Sequence, residues 1–265
     1  MAGIEGVAVV TGGAGGMGAP SAKRLAAMGW PVLLCDLDAG RLEAVAAPLR
    51  DGGATVEILA GDISDPAFPA QLLAALGERP IAALVHTAGL SPTMADGERI
   101  FEVNYYATVR LVDAIRPKMA AGACAVLISS MSAYMIPADK ADAPIKALLA
   151  GDASGVAPMI AAPQGAYPIS KRAVIALVAK EATAFGARGA RIASIAPGLI
   201  DTGMGKAEMK ASDMARGMIE RIPVGRQGIG DEIASVAAFL CSPDASYVSG
   251  CDIKVDGGLL GVLGL

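Results

Sequence analysis

The sequence predicts an α/β fold, a single domain built on one doubly wound sheet of seven mainly parallel strands flanked by helices. Three observations point there. The chain opens on an apolar run, Val7-Ala8-Val9-Val10-Thr11, that turns through Gly12-Gly13-Ala14-Gly15-Gly16-Met17-Gly18 into a helical pattern. Seven short apolar runs, at 7 to 11, 32 to 36, 54 to 60, 81 to 87, 124 to 129, 191 to 196 and 252 to 255, are separated by helix-like segments. Strands joined through helices pair in parallel, because the crossover returns the chain to the same end of the sheet. The 265 residues, 54% hydrophobic and 18% charged, suit one large domain with a substantial core, and no repeat, linker or low-complexity tract divides residues 1 to 265.

The first strand and its glycines set the chemistry. Gly12 lets the chain turn tightly off the strand, while Gly16 and Gly18, on either side of Met17, remove side chains where a pyrophosphate would meet backbone N–H groups at a helix N-terminus. Pro20 falls in or near the first helical turn, where N–H groups lack intrahelical partners. A glycine run is weak evidence in a chain with 33 glycines, so the second strand has to decide. That strand ends on Asp36, 24 residues after Gly12, where the acidic partner of an adenosine ribose belongs in a Rossmann-like fold. Its carboxylate would accept hydrogen bonds from the ribose hydroxyls and repel a 2′-phosphate. No basic residue stands in the glycine loop and Leu37 follows Asp36, so nothing is expected to offer a charge to NADP and the expected cofactor is NAD.

After the third strand, Asp62-Ile63 lie where an adenine ring would rest if the glycine loop holds the pyrophosphate; equally, they read as a turn residue and a core residue. The fourth strand runs into His86-Thr87-Ala88-Gly89, where the small Ala88 and Gly89 would let a cofactor approach the backbone. His86 is the only histidine, reads as a structural hydrogen-bonder, and has no Ser/Asp grouping around it to suggest a hydrolase triad. Ile100, Val103, Ala107, Leu111, Ala114 and Ile115 share one face of the next helix. Ser130 closes the strand Val126-Leu127-Ile128-Ser129, placed to hydrogen-bond a substrate oxygen as charge develops on it. Tyr167 and Lys171, four residues apart at the start of a long amphipathic helix, fall on one face. A phenol of pKa about 10 is a poor base at neutral pH, but a neighbouring ammonium and an oxidised nicotinamide favour the phenolate. Asn104 is placed to anchor a water that relays protons by way of Lys171.

Thr11-Gly12 with Gly16 and Gly18, Asp36, Ala88-Gly89, Val103-Asn104, Ser130, Tyr167 with Lys171, and Pro197-Gly198 follow one another in an order that resembles the short-chain dehydrogenase/reductase family. The resemblance extends to Tyr247-Val248-Ser249-Gly250 and Val255-Asp256-Gly257-Gly258, almost the whole chain. It implies a catalytic tetrad of Asn104, Ser130, Tyr167 and Lys171, with Lys171 also binding the nicotinamide ribose. It further implies that Ile200 and Thr202, following Pro197-Gly198, contact the nicotinamide carboxamide and the phosphates. The implied activity is NAD-dependent hydride transfer between a secondary alcohol and its ketone, in a homo-oligomer, dimer or tetramer.

Two departures stand out. His86-Thr87 replaces the family's usual pair of asparagines before Ala-Gly, so the bonds bracing the central strands must be made differently. Ser130 and Tyr167 are 37 residues apart, much farther than in most members, which marks an insert over about 134 to 163 beside the site. Within it Asp142 to Gly151 reads as a short helix, capped by Asp142, with Pro144 in its first turn and Gly151 as its stop. The insert is expected either to form an apolar wall over the substrate or to make a surface or oligomer contact. Since the family often associates through the helices holding Asn104 and Tyr167, it would also block or remodel a tetramer contact. Insertion here, with Ile128-Ser129-Ser130 and Ala245 to Gly250, makes the chain look similar to bacterial 3α-hydroxysteroid dehydrogenase/carbonyl reductase-like members. Ser130, Met131, Tyr134, Met135, Tyr167, Leu199 and Met204 are the expected substrate pocket, and Met209, Met214 and Met218 read either as helix core or as further adaptable apolar lining. A hydrophobic alcohol or ketone, alicyclic, aromatic or steroid-like, is the expected small-molecule partner.

Composition excludes other classes. A net charge of −4 offers no basic face for nucleic acid. No apolar run of about 18 residues would cross a membrane, and the N-terminus enters the first strand without room for a signal peptide, so a cytoplasmic protein is expected. Cys35, Cys124, Cys241 and Cys251 stand singly among apolar neighbours and are expected in the core; neither a metal site nor a disulfide framework is expected. The competing functions are a non-catalytic NAD-binding scaffold, which would lack Tyr167 or Lys171, and an acyl-carrier-protein ketoreductase, which would prefer NADPH and present a basic patch.

Overall fold

A computed structural model describes residues 4 to 211 and 217 to 265; Met214 lies outside the described residues. Its strands are β1 (Val7–Thr11), β2 (Val32–Asp36), β3 (Val56–Ala60), β4 (Ile81–His86), β5 (Met119–Ile128), β6 (Arg191–Pro197), β7 (Ile200–Asp201), β8 (Gly228–Ile229) and β9 (Asp252–Val255). Seven of them form one sheet in the order β3-β2-β1-β4-β5-β6-β9, in which every pairing is parallel. The short strands β7 and β8 pair separately, and two-residue strands leave no periodic signal in sequence. The order reverses direction between β1 and β4, and the crevice at the C-terminal ends of such strands is where open α/β sheets bind ligands.

The helices are α1 (Gly18–Ala27), α2 (Ala39–Asp51), α3 (Phe68–Leu76), α4 (Gly97–Phe101), α5 (Ala107–Ile115), α6 (Ala138–Leu149), α7 (Pro163–Gly186), α8 (Gly203–Ala211), α9 (Gly230–Cys241) and α10 (Leu259–Leu263). Alternation along the strands feeds two cores. Val7, Val9, Leu33 and Leu127 pack with Phe68, Leu111 and Phe185 on the face covered by α3, α5 and α7. Ala8, Val10, Leu34 and Val126 pack with Leu25, Leu42 and Leu240 on the face covered by α1, α2 and α9. Each buried aliphatic side chain contributes about 1.5–3 kcal/mol, so both faces of the sheet are strongly anchored. Three cysteines are buried as expected, but Cys251 is exposed, because it precedes β9 at the edge of the sheet.

The insert takes a course that its sequence did not indicate. α6 begins at Ala138 with Pro137 as its N-cap, a turn before the expected cap Asp142, which instead pairs with Arg172 of α7 at 3.0 Å. Pro144 therefore sits inside the helix; the N–H it lacks would have reached Lys140, which is exposed, so water can satisfy that carbonyl. Ala141, Ile145 and Leu148 are buried in the core that holds Val174 and Leu177 of α7, and Gly151, at φ 99°, ends the segment as expected. Nearby, a Cβ on Gly97 of α4 would collide with the Ile160 carbonyl. The bulk of the insert thus extends the core along α4 and α7.

Candidate active site

The C-terminal ends of β1, β2 and β4 open onto a trough of about 530 Å³. Its walls include Gly12, Gly16, Asp36, Asp62, Ala88 and Thr202, and Met17, Leu37, Ile63 and Gly89 also border it. Gly12 adopts φ 67°, and a Cβ there would stand 2.7 Å from the Ala88 nitrogen; a Cβ on Gly16 would meet Thr202 at the same distance. Gly18 acts otherwise than expected. It is buried outside the trough, and its missing side chain makes room for the Gly12 carbonyl, so it serves the packing of helix on loop.

At one end of this trough, Asp36 Oδ2 accepts from Ala14 N at 3.0 Å and Oδ1 from Leu37 N at 2.8 Å. Those bonds aim the carboxylate and leave acceptor capacity on both oxygens. One expectation needs correction here. Arg41 of α2 borders the same trough and donates to the Ala14 carbonyl at 3.0 Å, so a basic group does stand near Asp36, contributed by the following helix rather than the glycine loop. Asp62 is similarly held: Ser64 donates through N–H at 2.8 Å and Oγ at 2.6 Å, and Arg99 pairs with it at 2.7 Å. Burial pushes the Asp62 carboxyl up, but the Ser64 donors and the Arg99 guanidinium together hold it below its ordinary value. Arg41 and Arg99 carry no sequence signal, because each reaches the trough from a neighbouring helix.

A second cavity of about 200 Å³ shares Met17, Thr87, Gly89, Leu90, Thr202 and Met204 with the trough. Ser130, Tyr167 and Lys171 border it together, and Pro197, Gly198 and Ile200 form its floor toward the β6 end. Much of the remaining wall is methionine and leucine, with Met131, Met135, Leu199, Met204, Met209 and Met218, interspersed with the hydroxyls of Ser132 and Thr202. Among the described residues, Lys171 is the only basic residue bordering it and no acidic one does. Beyond Met135 no residue of the insert lines this cavity, so the expected apolar wall reduces to that one side chain. Tyr134 does not line it either; its hydroxyl donates to Asp252 Oδ2 at 2.7 Å and its ring lies under Lys254 Nζ at 4.3 Å. Asp252 stands on β9, so a long-range ion-dipole contact turns Tyr134 from the expected pocket.

Lys171 Nζ is buried, donates to the Ile128 carbonyl at 2.9 Å and lies 5.8 Å from the Tyr167 ring centre. Burial lowers its pKa to about 8, which still leaves it mostly charged at neutral pH. Gly89 lies close beside it: a Cβ there would sit 3.3 Å from Nζ and 3.1 Å from Asn104 Oδ1, a tight approach that would press on both side chains. Asn104 itself occupies a π-helical turn, Glu102–Tyr106, between α4 and α5, an irregularity that recurs at functional sites. Its side chain accepts from Leu90 N at 2.8 Å and donates to Leu90 O at 3.0 Å and Ser170 Oγ at 3.2 Å, bracing the loop after β4.

His86 supplies the bracing that two asparagines would otherwise make. Thr108 Oγ1 donates its only proton to the Asn104 carbonyl at 2.9 Å, so His86 Nε2 must donate to Thr108 at 2.9 Å, and Nδ1 accepts from Thr11 at 2.6 Å. Burial, with a smaller contribution from Lys171, lowers the His86 pKa to about 3. Between that value and its ordinary 6.5, the unfolded chain binds a proton that the folded chain refuses, so this group makes stability fall on acidification by about 1.4 kcal/mol per pH unit. Urea unfolding between pH 7 and pH 4 should therefore show a slope shallower by one proton in His86→Asn than in the parent; equal slopes would mean that His86 titrates in the folded protein.

Such a cleft is built for a dinucleotide-dependent oxidoreductase acting on CH–OH groups. The chain belongs to the short-chain dehydrogenase/reductase family: residues 6–140 match the family model described as short chain dehydrogenase, and residues 151–260 the one described as Enoyl-(Acyl carrier protein) reductase. It is 33% identical to 3-alpha-hydroxysteroid dehydrogenase/carbonyl reductase of Comamonas testosteroni over 97% of each chain. It is 29% identical to levodione reductase of Leifsonia aquatica, covering 95% of this chain and 93% of the relative. A crystal structure of levodione reductase superimposes with a TM-score of 0.81 at 26% identity, covering 99% of this chain and all of the other.

Proposed function

We propose that this protein is an NAD-dependent oxidoreductase that interconverts a hydrophobic secondary alcohol and its ketone, with an alicyclic, aromatic or steroid-like body. The observation that carries this is the joining of the glycine-lined trough to a methionine-rich cavity that Ser130, Tyr167 and Lys171 border together. Gly12, Gly16, Asp36, Asp62, Ala88 and Thr202 would hold the dinucleotide, with Lys171 at the nicotinamide ribose. A bound nicotinamide supplies the two-electron hydride chemistry.

The protein's residues then handle the proton. During oxidation Tyr167 Oη takes the substrate hydroxyl proton, and during reduction it returns it. The Lys171 ammonium favours the phenolate form, and Ser130 steadies the substrate oxygen as its charge changes. Asn104 keeps the loop after β4 in place, and its proposed link through water to Lys171 belongs to the same reading. Methionine side chains adapt to bulky apolar shapes, which suits a ring system better than a short polar alcohol. Homo-oligomerisation also belongs to this reading, and support for it is family resemblance; a contact using α4 and α7 would have to include α6.

The test is NADH formation by purified protein with NAD or NADP and a panel of alicyclic, aromatic and steroidal secondary alcohols. NAD-dependent turnover of at least one bulky alcohol is the expected result. NADH binding without turnover of any member would favour a non-catalytic dinucleotide-binding protein.

A further inference from the structure

Ser130 stands two residues beyond the end of β5 and opens a tight turn over Met131–Tyr134. Its Oγ accepts two hydrogen bonds from one neighbour, from Ser132 N at 3.1 Å and from Ser132 Oγ at 3.0 Å. A serine hydroxyl has two acceptor sites and a single proton to give. With both acceptor sites occupied, the capacity left to Ser130 is donation of its own proton. Ser132 also borders the cavity that holds Tyr167 and Lys171, so this polarisation takes place at the wall of the substrate space.

We propose that Ser132 is a positioning residue that makes Ser130 an obligate hydrogen-bond donor to the substrate oxygen; this rests on the reading of the cavity as an alcohol and ketone site. Two consequences follow for the reaction. A substrate hydroxyl cannot direct its proton at Ser130, so its proton is left for Tyr167 and the unproductive orientation is closed. A hydroxyl that accepts bonds is also a stronger donor, so Ser130 holds an oxygen of growing negative charge more firmly than a lone serine would. Ser132 thereby assigns different roles to the two hydroxyls, with Ser130 giving a hydrogen bond and Tyr167 exchanging a proton.

The test is a double-mutant cycle on the alcohol that the parent oxidises, comparing Ser132→Ala, Ser130→Ala and the double variant, with Ser132→Thr as the conservative control. Ser132→Ala keeps the backbone N–H donor and removes only the hydroxyl. It should lower kcat about 10-fold with KM changed by less than about 2-fold, and move the rise of kcat/KM with pH to higher pH. Ser132→Thr should restore both. In the Ser130→Ala background, measured by single-turnover NADH formation, removal of the Ser132 hydroxyl should cost less than about 2-fold. Parent-like kinetics in Ser132→Ala would overturn the proposal, as would a 10-fold loss that persists in the Ser130→Ala background or a loss confined to KM. Parent-like turnover in Ser130→Ala would instead remove Ser130 from the reaction, and the reading of the cavity would fail with it.

Discussion

Tyr167→Phe is expected to lower turnover by at least about 10³-fold while leaving NADH binding within a few-fold of the parent. The substitution removes one oxygen and keeps the ring, so the cavity shared with Ser130 and Lys171 retains its shape. On the proposed reading what is lost is the proton-exchanging group, and among the described residues of the cavity wall Lys171 is the only other ionisable one. On the proposed reading Lys171 stays at the nicotinamide ribose, with its Nζ donating to the Ile128 carbonyl at 2.9 Å and lying 5.8 Å from the Tyr167 ring centre. Steady-state kinetics and NADH fluorescence titration on the same preparation separate the two effects. Retained turnover would reject Tyr167 as the base, and lost NADH binding would show that the hydroxyl supports the cofactor site instead.

Asp36→Ser combined with Leu37→Arg is expected to move the ratio of kcat/KM for NAD over NADP by about 10²- to 10³-fold toward NADP. Asp36 is aimed by Ala14 N and Leu37 N at the end of the trough where a ribose would lie, and its charge opposes a 2′-phosphate there. The double variant removes that repulsion and adds a guanidinium suited to a phosphate. Parent protein that prefers NADP would reject Asp36 as the selector. Arg41, released from the Ala14 carbonyl that it contacts at 3.0 Å, would then be the group to examine for phosphate binding.

Much of this architecture follows from local pattern. The expected strand at 7 to 11 coincides with β1 and that at 32 to 36 with β2, because a run buried on both faces of a parallel sheet is apolar at every position. β5 begins at Met119, five residues before the expected start at 124, since Ala120, Ala121 and Gly122 lack the bulky side chains that mark a strand. Tyr167 and Lys171 share a cavity wall because a separation of four returns to the same face of a helix. Ser132 was within reach of the sequence as the second hydroxyl of Ser130-Met131-Ser132, the spacing of a side-chain turn, although the spacing alone assigns no direction to the bond.

Other features depend on partners far along the chain. Tyr134 stands four residues from Ser130, yet its direction is decided by Asp252, which only the assembled sheet brings beside it. The apolar face of α6 has the same period whether it covers a ligand or a helix, and α7 proved to be its partner. Gly18 and Gly16 look alike in the chain, but one accommodates the Gly12 carbonyl and the other Thr202. By itself the sequence determined the seven strands of the large sheet, their alternation with helices, the glycine turn and the shared face of Tyr167 and Lys171, since these rest on periodicity and on spacings of a few residues, while Ser130 joined them through the resemblance of motif order. Only the tertiary structure decided where the insert packs, which arginines reach the trough and which side chains face the cavity, because each of these depends on contacts that chain-local periodicity does not encode.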